Sequence, residues 1–195
     1  MESTFALADR LTSRQRQLVD QLADLFLAEG FAHLTLDDLA AQLGCSKRTL
    51  YALADSKEQL AVRTVRYFFK RATEQVEAAI ARTRSPAARV TRYLEAVAEA
   101  LRPAGREFRR DLARHAATRE VYEQNTLAAA DRVRELIDDG IAARAFRNVS
   151  AGFVGEVVTA TMRRITSGEI GEATGLDDAQ AYAELAKLVV AAIRR

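Results

Sequence analysis

The chain has 195 residues, of which 49% are hydrophobic and 29% are charged, and its formal net charge is +2. These proportions are typical of a globular protein with a well-packed core and exclude disordered, collagen-like and low-complexity proteins. No apolar stretch approaches the roughly 20 residues that a membrane-spanning helix requires, and no secretory signal follows Met1. We therefore expect a cytoplasmic protein with no membrane partner.

Proline, cysteine and histidine are scarce. The only prolines are Pro86 and Pro103, and this scarcity favours helix along most of the chain because proline breaks helices. The single cysteine, Cys45, and two histidines offer no spacing for a structural zinc site. The sequence also lacks a glycine-rich phosphate loop and a G-x-S-x-G motif. We therefore expect no metal, no cofactor and no enzymatic activity.

The first third of the chain predicts a loose arm followed by four helices. Residues 1–11 show no hydrophobic period. Thr12 or Ser13 then caps a helix that ends at Gly30, and its apolar residues have helical spacing. These apolar residues are Leu18, Leu22, Leu25 and Phe26. Thr35 with Asp38 resembles a capping box for a short helix that ends at Gly44. Ser46 caps a second short helix. Ser56 with Gln59 forms another capping box, which opens a long helix to about residue 81.

The rest of the chain predicts five more helices. In order, these are a helix from Ser85-Pro86 to Pro103, a short helix around Phe108 and Leu112, a helix over about 118–139 ended by Gly140, a helix from Ser150 to Ile165, and a last helix to about Arg194. A loop is predicted between Gly168 and Gly175. The sequence thus predicts an all-α fold of about nine helices, with no convincing strand.

The two short helices around Gly44-Cys45 form a predicted helix-turn-helix. Ala40 and Leu43 are expected to pack against Leu50, so that the second helix projects from the surface. A projecting helix about two turns long fits the major groove of DNA, which is ~12 Å wide. The residues expected on its outer face are Ser46, Lys47, Arg48, Thr49 and Ala52.

Three of these outward side chains suit contacts with DNA. Arg48 can donate to two acceptors on a guanine edge, Thr49 can touch a thymine methyl group, and Lys47 can reach a base or a phosphate. A helix-turn-helix pattern can also be no more than two packed helices.

The same segment resembles the DNA-binding signature of the tetracycline-repressor (TetR) family. The resemblance is carried by Gly44-Cys45-Ser46-Lys47-Arg48-Thr49-Leu50-Tyr51, by Ser56-Lys57-Glu58 with Leu60, and by Phe31 with Thr35-Leu36-Asp37-Asp38-Leu39-Ala40. It implies a dimeric, ligand-responsive transcription factor in which Thr35, Tyr51 and Lys57 contact phosphates. Ala54 and Asp55 depart from the family, which often has Phe and Pro there, and Asp55 places an anion near Lys57.

This interpretation divides the chain into a helix-turn-helix domain of three helices over residues 1–60 and a helical effector-binding and dimerisation domain over 61–195. Arg10, Arg14 and Arg16 are either further DNA contacts or parts of a solvated arm. Residues 1–60 carry three more acidic than basic residues. This acidic balance supports an alternative, a helical ligand-binding or adaptor protein with a vestigial helix-turn-helix.

The last helix predicts self-association because it is apolar around most of its circumference. Together with the helix over 150–165, it could form a four-helix bundle across a two-fold axis of a homodimer; full burial within one subunit is the alternative. The candidate dimerisation residues are Val154, Val158, Tyr182, Leu185, Val189 and Ile193.

The helices between about 85 and 165 are expected to enclose a small-molecule effector, because they carry a mixture of aromatic and polar side chains. The candidate ligand-binding residues are Tyr93, Phe108, Arg109, His115, Tyr122, Asn125 and Met162. The function predicted from the sequence is therefore a DNA-binding regulator, a repressor that an effector releases from a palindromic operator in double-stranded DNA.

Overall fold

The computed structural model describes residues 11–195, and the predicted arm, with Arg10, lies outside the described residues except for Leu11. Over the described residues the chain forms ten α-helices and no strand, apart from one isolated bridge between Phe146 and Arg194. The helices are α1 (Ser13–Glu29), α2 (Leu36–Gln42), α3 (Lys47–Tyr51), α4 (Lys57–Ile80), α5 (Pro86–Leu101), α6 (Arg106–Arg114), α7 (Ala116–Ala142), α8 (Ala151–Thr166), α9 (Glu169–Thr174) and α10 (Asp178–Ile193). The all-α prediction is confirmed. None of these helices combines the length and apolar character that crossing a membrane requires.

Most helices begin where a side chain satisfies the free N–H groups of the first turn. Thr12, Thr35, Ser46, Ser85, Ser150 and Asp177 each accept a hydrogen bond from a backbone N–H of the helix that they cap. At α4, Ser56 accepts the N–H of Gln59, but the Gln59 side chain bonds the N–H of Asp55. The predicted capping box of α4 is therefore only half formed.

Two predicted boundaries are wrong. Helix α7 continues through Gly140 to Ala142, so Gly140 does not end the helix. The ring of Phe146 lies against Gly140 so closely that a β-carbon would come within 2.1 Å of it. The predicted loop between Gly168 and Gly175 contains the six-residue α9, which is too short to show a hydrophobic period.

The chain divides into two compact units. The first comprises the residues up to Arg71 together with Pro103–Tyr122, and the second comprises Ala72–Arg102 and Glu123–Arg195. The first unit is larger than the predicted helix-turn-helix domain because it includes α6, which packs against α1. Its core is rich in aromatic rings: Phe108 lies edge-on to Phe31 and Phe68, with ring centroids 6.2 and 5.8 Å apart.

The second unit is built around α10, which packs against α5 and α8. Leu94 of α5, Ile137 of α7 and Val158 of α8 are fully buried in one hydrophobic core. Across the surface of this unit, the Arg132 guanidinium donates two hydrogen bonds to the Glu77 carboxylate, at 2.8 and 3.0 Å. This paired geometry is the strongest form of an arginine–carboxylate contact.

Candidate nucleic-acid interface

The helix-turn-helix is held from beneath by apolar side chains. Leu39 of α2 and Leu50 of α3 are fully buried and Ala40 is nearly so, while Leu43 is half-buried. In the turn, the N–H of Cys45 donates to the carbonyl of Ala40 at 2.9 Å. The buried face of α3 therefore fixes which side chains face outward.

Arg48 and Tyr51 are the outward side chains of α3 that are free to bind. Arg48 is exposed, and half of the Tyr51 surface is exposed. Within residues 11–195 neither side chain forms a hydrogen bond or an ion pair. A free guanidinium on a projecting helix is the arrangement that reading a guanine edge requires.

Lys47, the first residue of α3, is engaged by an acid of α2. Its Nζ lies 2.7 Å from Oδ1 of Asp37, and both side chains are exposed to solvent. The hydrogen bond and the negative charge of Asp37 raise the pKa of Lys47. The ammonium group of Lys47 therefore already has an anionic partner within the protein.

Two of the hydroxyl groups predicted to contact DNA, those of Thr35 and Ser46, serve as helix caps. The Thr35 hydroxyl donates to Asp38 at 2.6 Å and accepts the N–H of Asp38 at 3.2 Å. The hydroxyl and the backbone N–H of Thr35 both donate to the Asp38 carboxylate, the N–H at 2.8 Å, and these two bonds hold the pKa of Asp38 below its usual value. Ser46 Oγ and Thr49 Oγ1 are 2.9 Å apart, and Ser46 also accepts the N–H of Thr49.

Lys57, at the start of α4, is held beside the loop between α1 and α2. Its Nζ donates to the carbonyl of Ala32 at 2.7 Å. An ammonium group has three N–H donors, so this bond leaves two for a phosphate. The seven residues predicted to contact DNA thus lie in one helix-turn-helix and at the N-terminus of the helix that follows it, and their roles remain predictions.

Three residues that sequence reasoning missed hold this interface in position. Arg63 of α4 donates to the carbonyl of Leu53, just after α3. Asp111 of α6 accepts the N–H groups of Phe31 and Ala32, at 2.7 and 2.8 Å. Asp37 holds Lys47, as described above. The two residues of each contact lie 10 to 80 positions apart in the chain, so no local sequence pattern predicts these contacts.

The predicted ligand-binding residues fall into two groups. Phe108, Arg109, His115 and Tyr122 belong to the first unit, and Tyr93, Asn125 and Met162 to the second. Phe108 is buried among aromatic rings, whereas His115 is exposed and its ring lies 5.5 Å from that of Phe31. Tyr93 and Met162 share the core of the second unit, where burial raises the pKa of Tyr93. Their role in ligand binding remains a prediction.

The residues predicted for dimerisation are mostly inside one subunit. Val158, Tyr182, Leu185, Val189 and Ile193 are buried in the core of the second unit, and Val154 packs partly against it. Their apolar pattern reflects this core. The large apolar side chains that α8 and α10 expose are different ones, namely Phe153, Val157 and Leu188.

Over the described residues, no group of three or more His, Cys, Asp or Glu side chains is placed to hold a metal ion. The single cysteine, Cys45, is half-buried in the turn between α2 and α3, where burial raises the pKa of its thiol.

Comparisons with solved structures establish the fold over more than nine tenths of the chain. A putative transcriptional regulator from Saccharomonospora viridis in complex with choline superposes with a TM-score of 0.76 at 16% identity, covering 92% of this chain and 97% of that one. A TetR transcriptional regulator from Chloroflexus aurantiacus gives 0.74 at 23% identity, with coverages of 92% and 95%. A fatty acid degradation regulator from Bacillus halodurans gives 0.73 at 11% identity, with coverages of 93% and 96%.

The family model that matches the sequence covers the helix-turn-helix. Residues 18–64 match the model described as bacterial regulatory proteins of the tetR family, a range that begins in α1 and ends in α4. No curated protein sequence matches the chain. Because the matched segment contains the projecting helix with the free Arg48, residues 18–64 are similar to the DNA-binding region of tetR-family regulators, and the chain is a TetR-like DNA-binding transcriptional regulator.

Proposed function

We propose that the protein is a cytoplasmic repressor that binds a palindromic operator as a homodimer and leaves it when a small molecule binds. The observation that carries the proposal is the projecting α3. Leu50 is fully buried beneath it, and Arg48 stands free on its outer side. Each subunit of a dimer would read one half-site, with the two recognition helices about one helical turn of DNA, ~34 Å, apart.

Exposed apolar side chains on two packed helices support the homodimer. Phe153 and Val157 lie four residues apart on α8, so they share one face of that helix, and Leu188 lies on α10, which packs against α8. Their exposed fractions are 70%, 45% and 68%. Large apolar groups left in water favour a protein partner, and a second copy of the chain would bury them through a self-complementary contact.

Small-molecule control is supported by what the similar proteins bind or regulate. The structure from Saccharomonospora viridis holds choline, a Mycobacterium tuberculosis relative is a ketosteroid transcriptional regulator, and the Bacillus halodurans relative regulates fatty acid degradation. These ligands and pathways differ in chemistry, so they support the presence of an effector in this chain and do not identify it.

Selection of bound fragments from genomic DNA tests the proposal. The purified protein is mixed with sheared genomic DNA, bound fragments are sequenced, and the protected bases are mapped by footprinting. We expect two inverted half-sites within one footprint. Screening small molecules for release of that operator then seeks the effector. Protection of a single half-site would contradict the dimeric mode, and the absence of any enriched fragment would favour the adaptor with a vestigial helix-turn-helix.

A further inference from the structure

Asp37 is an acid placed beside the helix that meets DNA. It lies in the first turn of α2, and its Oδ1 is 2.7 Å from the Nζ of Lys47. About three quarters of its side chain is exposed and half of that of Lys47. Nothing in the packing forces the two together, since each could instead be solvated. The pair therefore calls for an explanation in terms of the surface on which it lies.

A phosphate of DNA competes with Asp37 for the same ammonium group. Carboxylate and phosphate oxygens are both anionic acceptors that form short, charge-assisted hydrogen bonds with lysine. Lys47 can therefore gain little from a phosphate while it remains on Asp37. Arg48, the next residue, has no such partner among the described residues, so its guanidinium is fully available to a base.

We propose that Asp37 is a specificity-determining residue that withholds Lys47 from the phosphates of non-operator DNA. Binding to DNA of any sequence depends on the number of phosphates that cations neutralise. An acid that neutralises one of these cations weakens binding to non-operator DNA and leaves the base contacts of Arg48 to discriminate. In the operator complex those base contacts seat α3 so that Lys47 reaches no phosphate, and loss of Asp37 therefore strengthens binding to non-operator DNA alone. The inference rests on the proposed docking of α3 against DNA.

A simpler role for Asp37 makes a different prediction. An acid in the first turn of a helix interacts favourably with the helix dipole, and Asp37 occupies that position in α2. If this were its whole role, Asp37→Asn would lower thermal stability slightly and leave the preference among DNA sequences unchanged. Thermal melting and DNA binding measured on the same variant therefore separate the two roles.

The test measures binding of Asp37→Asn to a 30-base-pair duplex of random sequence by fluorescence anisotropy, over a range of salt concentrations. We expect affinity about two- to fivefold higher than wild type, the factor that an exposed ion pair typically contributes. The logarithmic salt slope should become steeper by up to ~0.9 per subunit, the value for one added phosphate contact. Asp24→Asn, at an exposed position of α1, is the matched control for the change in net charge and should resemble wild type.

A second variant assigns the effect to Lys47. In a Lys47→Gln background, Asp37→Asn should change binding to the random duplex no more than Asp24→Asn does. An equal gain in both backgrounds would overturn the proposal, because direct repulsion between Asp37 and DNA would then explain the effect.

Binding to operator DNA completes the test, and it distinguishes failure of the role of Asp37 from failure of the proposed function. With the operator found by genomic selection, the ratio of operator to random-duplex affinity should fall two- to fivefold in Asp37→Asn. If the wild-type protein binds its operator and this ratio is the same in Asp37→Asn, only the proposed role of Asp37 is overturned. If wild-type protein enriches no operator, the proposed function fails and this inference fails with it.

Discussion

Asp111 and Phe31, 80 residues apart in the chain, are joined by a buried hydrogen bond of 2.7 Å from the Phe31 N–H to the Asp111 carboxylate. The same oxygen accepts the N–H of Ala32 at 2.8 Å. Gly30, with φ of +80°, lies beside it, and a β-carbon there would come within 2.7 Å of that oxygen. The carbonyl of Ala32 in turn accepts from Lys57. The loop that precedes α2 is thus fixed to α6 and to the start of α4.

Asp111→Ala should destabilise the protein by on the order of 2–4 kcal/mol, because it leaves the N–H groups of Phe31 and Ala32 without their acceptor. Asp111→Asn should cost less, since its amide oxygen can still accept both hydrogen bonds. Urea unfolding of the two variants measures the difference. Equal losses would mean that the acceptor oxygen is not what stabilises the loop.

Lys57→Ala should weaken binding to all DNA sequences alike, because the predicted contact is with a phosphate and carries no base information. The salt slope should fall by ~1 for each phosphate that the variant no longer neutralises. Titrating operator and random duplexes at several salt concentrations measures both quantities. Weaker binding to the operator alone would contradict the phosphate assignment.

Arg48→Ala should instead change sequence preference. Removal of a bidentate hydrogen bond to a guanine costs ~1–3 kcal/mol and relaxes the preference at one base position in each half-site. Repeating the genomic selection with the variant measures the base preference at each position of the half-site. An unchanged operator consensus would rule out Arg48 as the base-reading residue.

Gly140→Ala should destabilise the protein even though alanine is the better helix former. The added β-carbon would overlap the Phe146 ring, which lies 2.1 Å from its position, and overpacking of this kind costs ~1–3 kcal/mol. Gly152→Ala is the matched control, because a β-carbon at Gly152 meets nothing within 4 Å. That variant should be neutral or gain up to ~1 kcal/mol from helix propensity alone. Thermal melting of both variants tests whether the melting temperature falls in Gly140→Ala and stays the same or rises in Gly152→Ala.

Leu188→Glu should dissociate the proposed homodimer, because it places a charge on the exposed apolar face of α10. Sedimentation velocity reports the expected shift from dimer to monomer. Leu127→Glu makes the same change at an exposed leucine of α7, which is not among the side chains assigned to the contact, and should leave the dimer intact. Val189 is not suited to this test, because it is buried in the core and a charge there would unfold the subunit.

Local features of the fold could be predicted from the sequence because they depend on neighbouring residues. The capping box at Thr35 uses side chains three residues apart, and a short sequence window contains all the groups involved. Gly140 shows where a short window fails. Glycine is required at this position because the Phe146 ring packs against it, and not because a helix ends there.

The same limit explains the interfaces. The apolar stripe of α10 indicates burial, but the sequence cannot tell whether a second copy or the subunit itself covers it. In the structure Leu185 and Val189 face the core, and Leu188 between them faces solvent. Likewise, the outward position of Arg48 follows from its own helix, whereas the pairing of Lys47 with Asp37 depends on how α2 and α3 are packed.

The discontinuity of the first unit has a consequence for protein engineering. Because residues 103–122 belong with the helix-turn-helix, a chimera that transplants only the leading sixty residues onto another sensor leaves Asp111 and Phe108 behind. Such a chimera would carry the helix-turn-helix but would lack the Asp111 carboxylate that accepts the N–H groups of Phe31 and Ala32 in the loop before α2. A working hybrid must therefore exchange two separate stretches of the gene together.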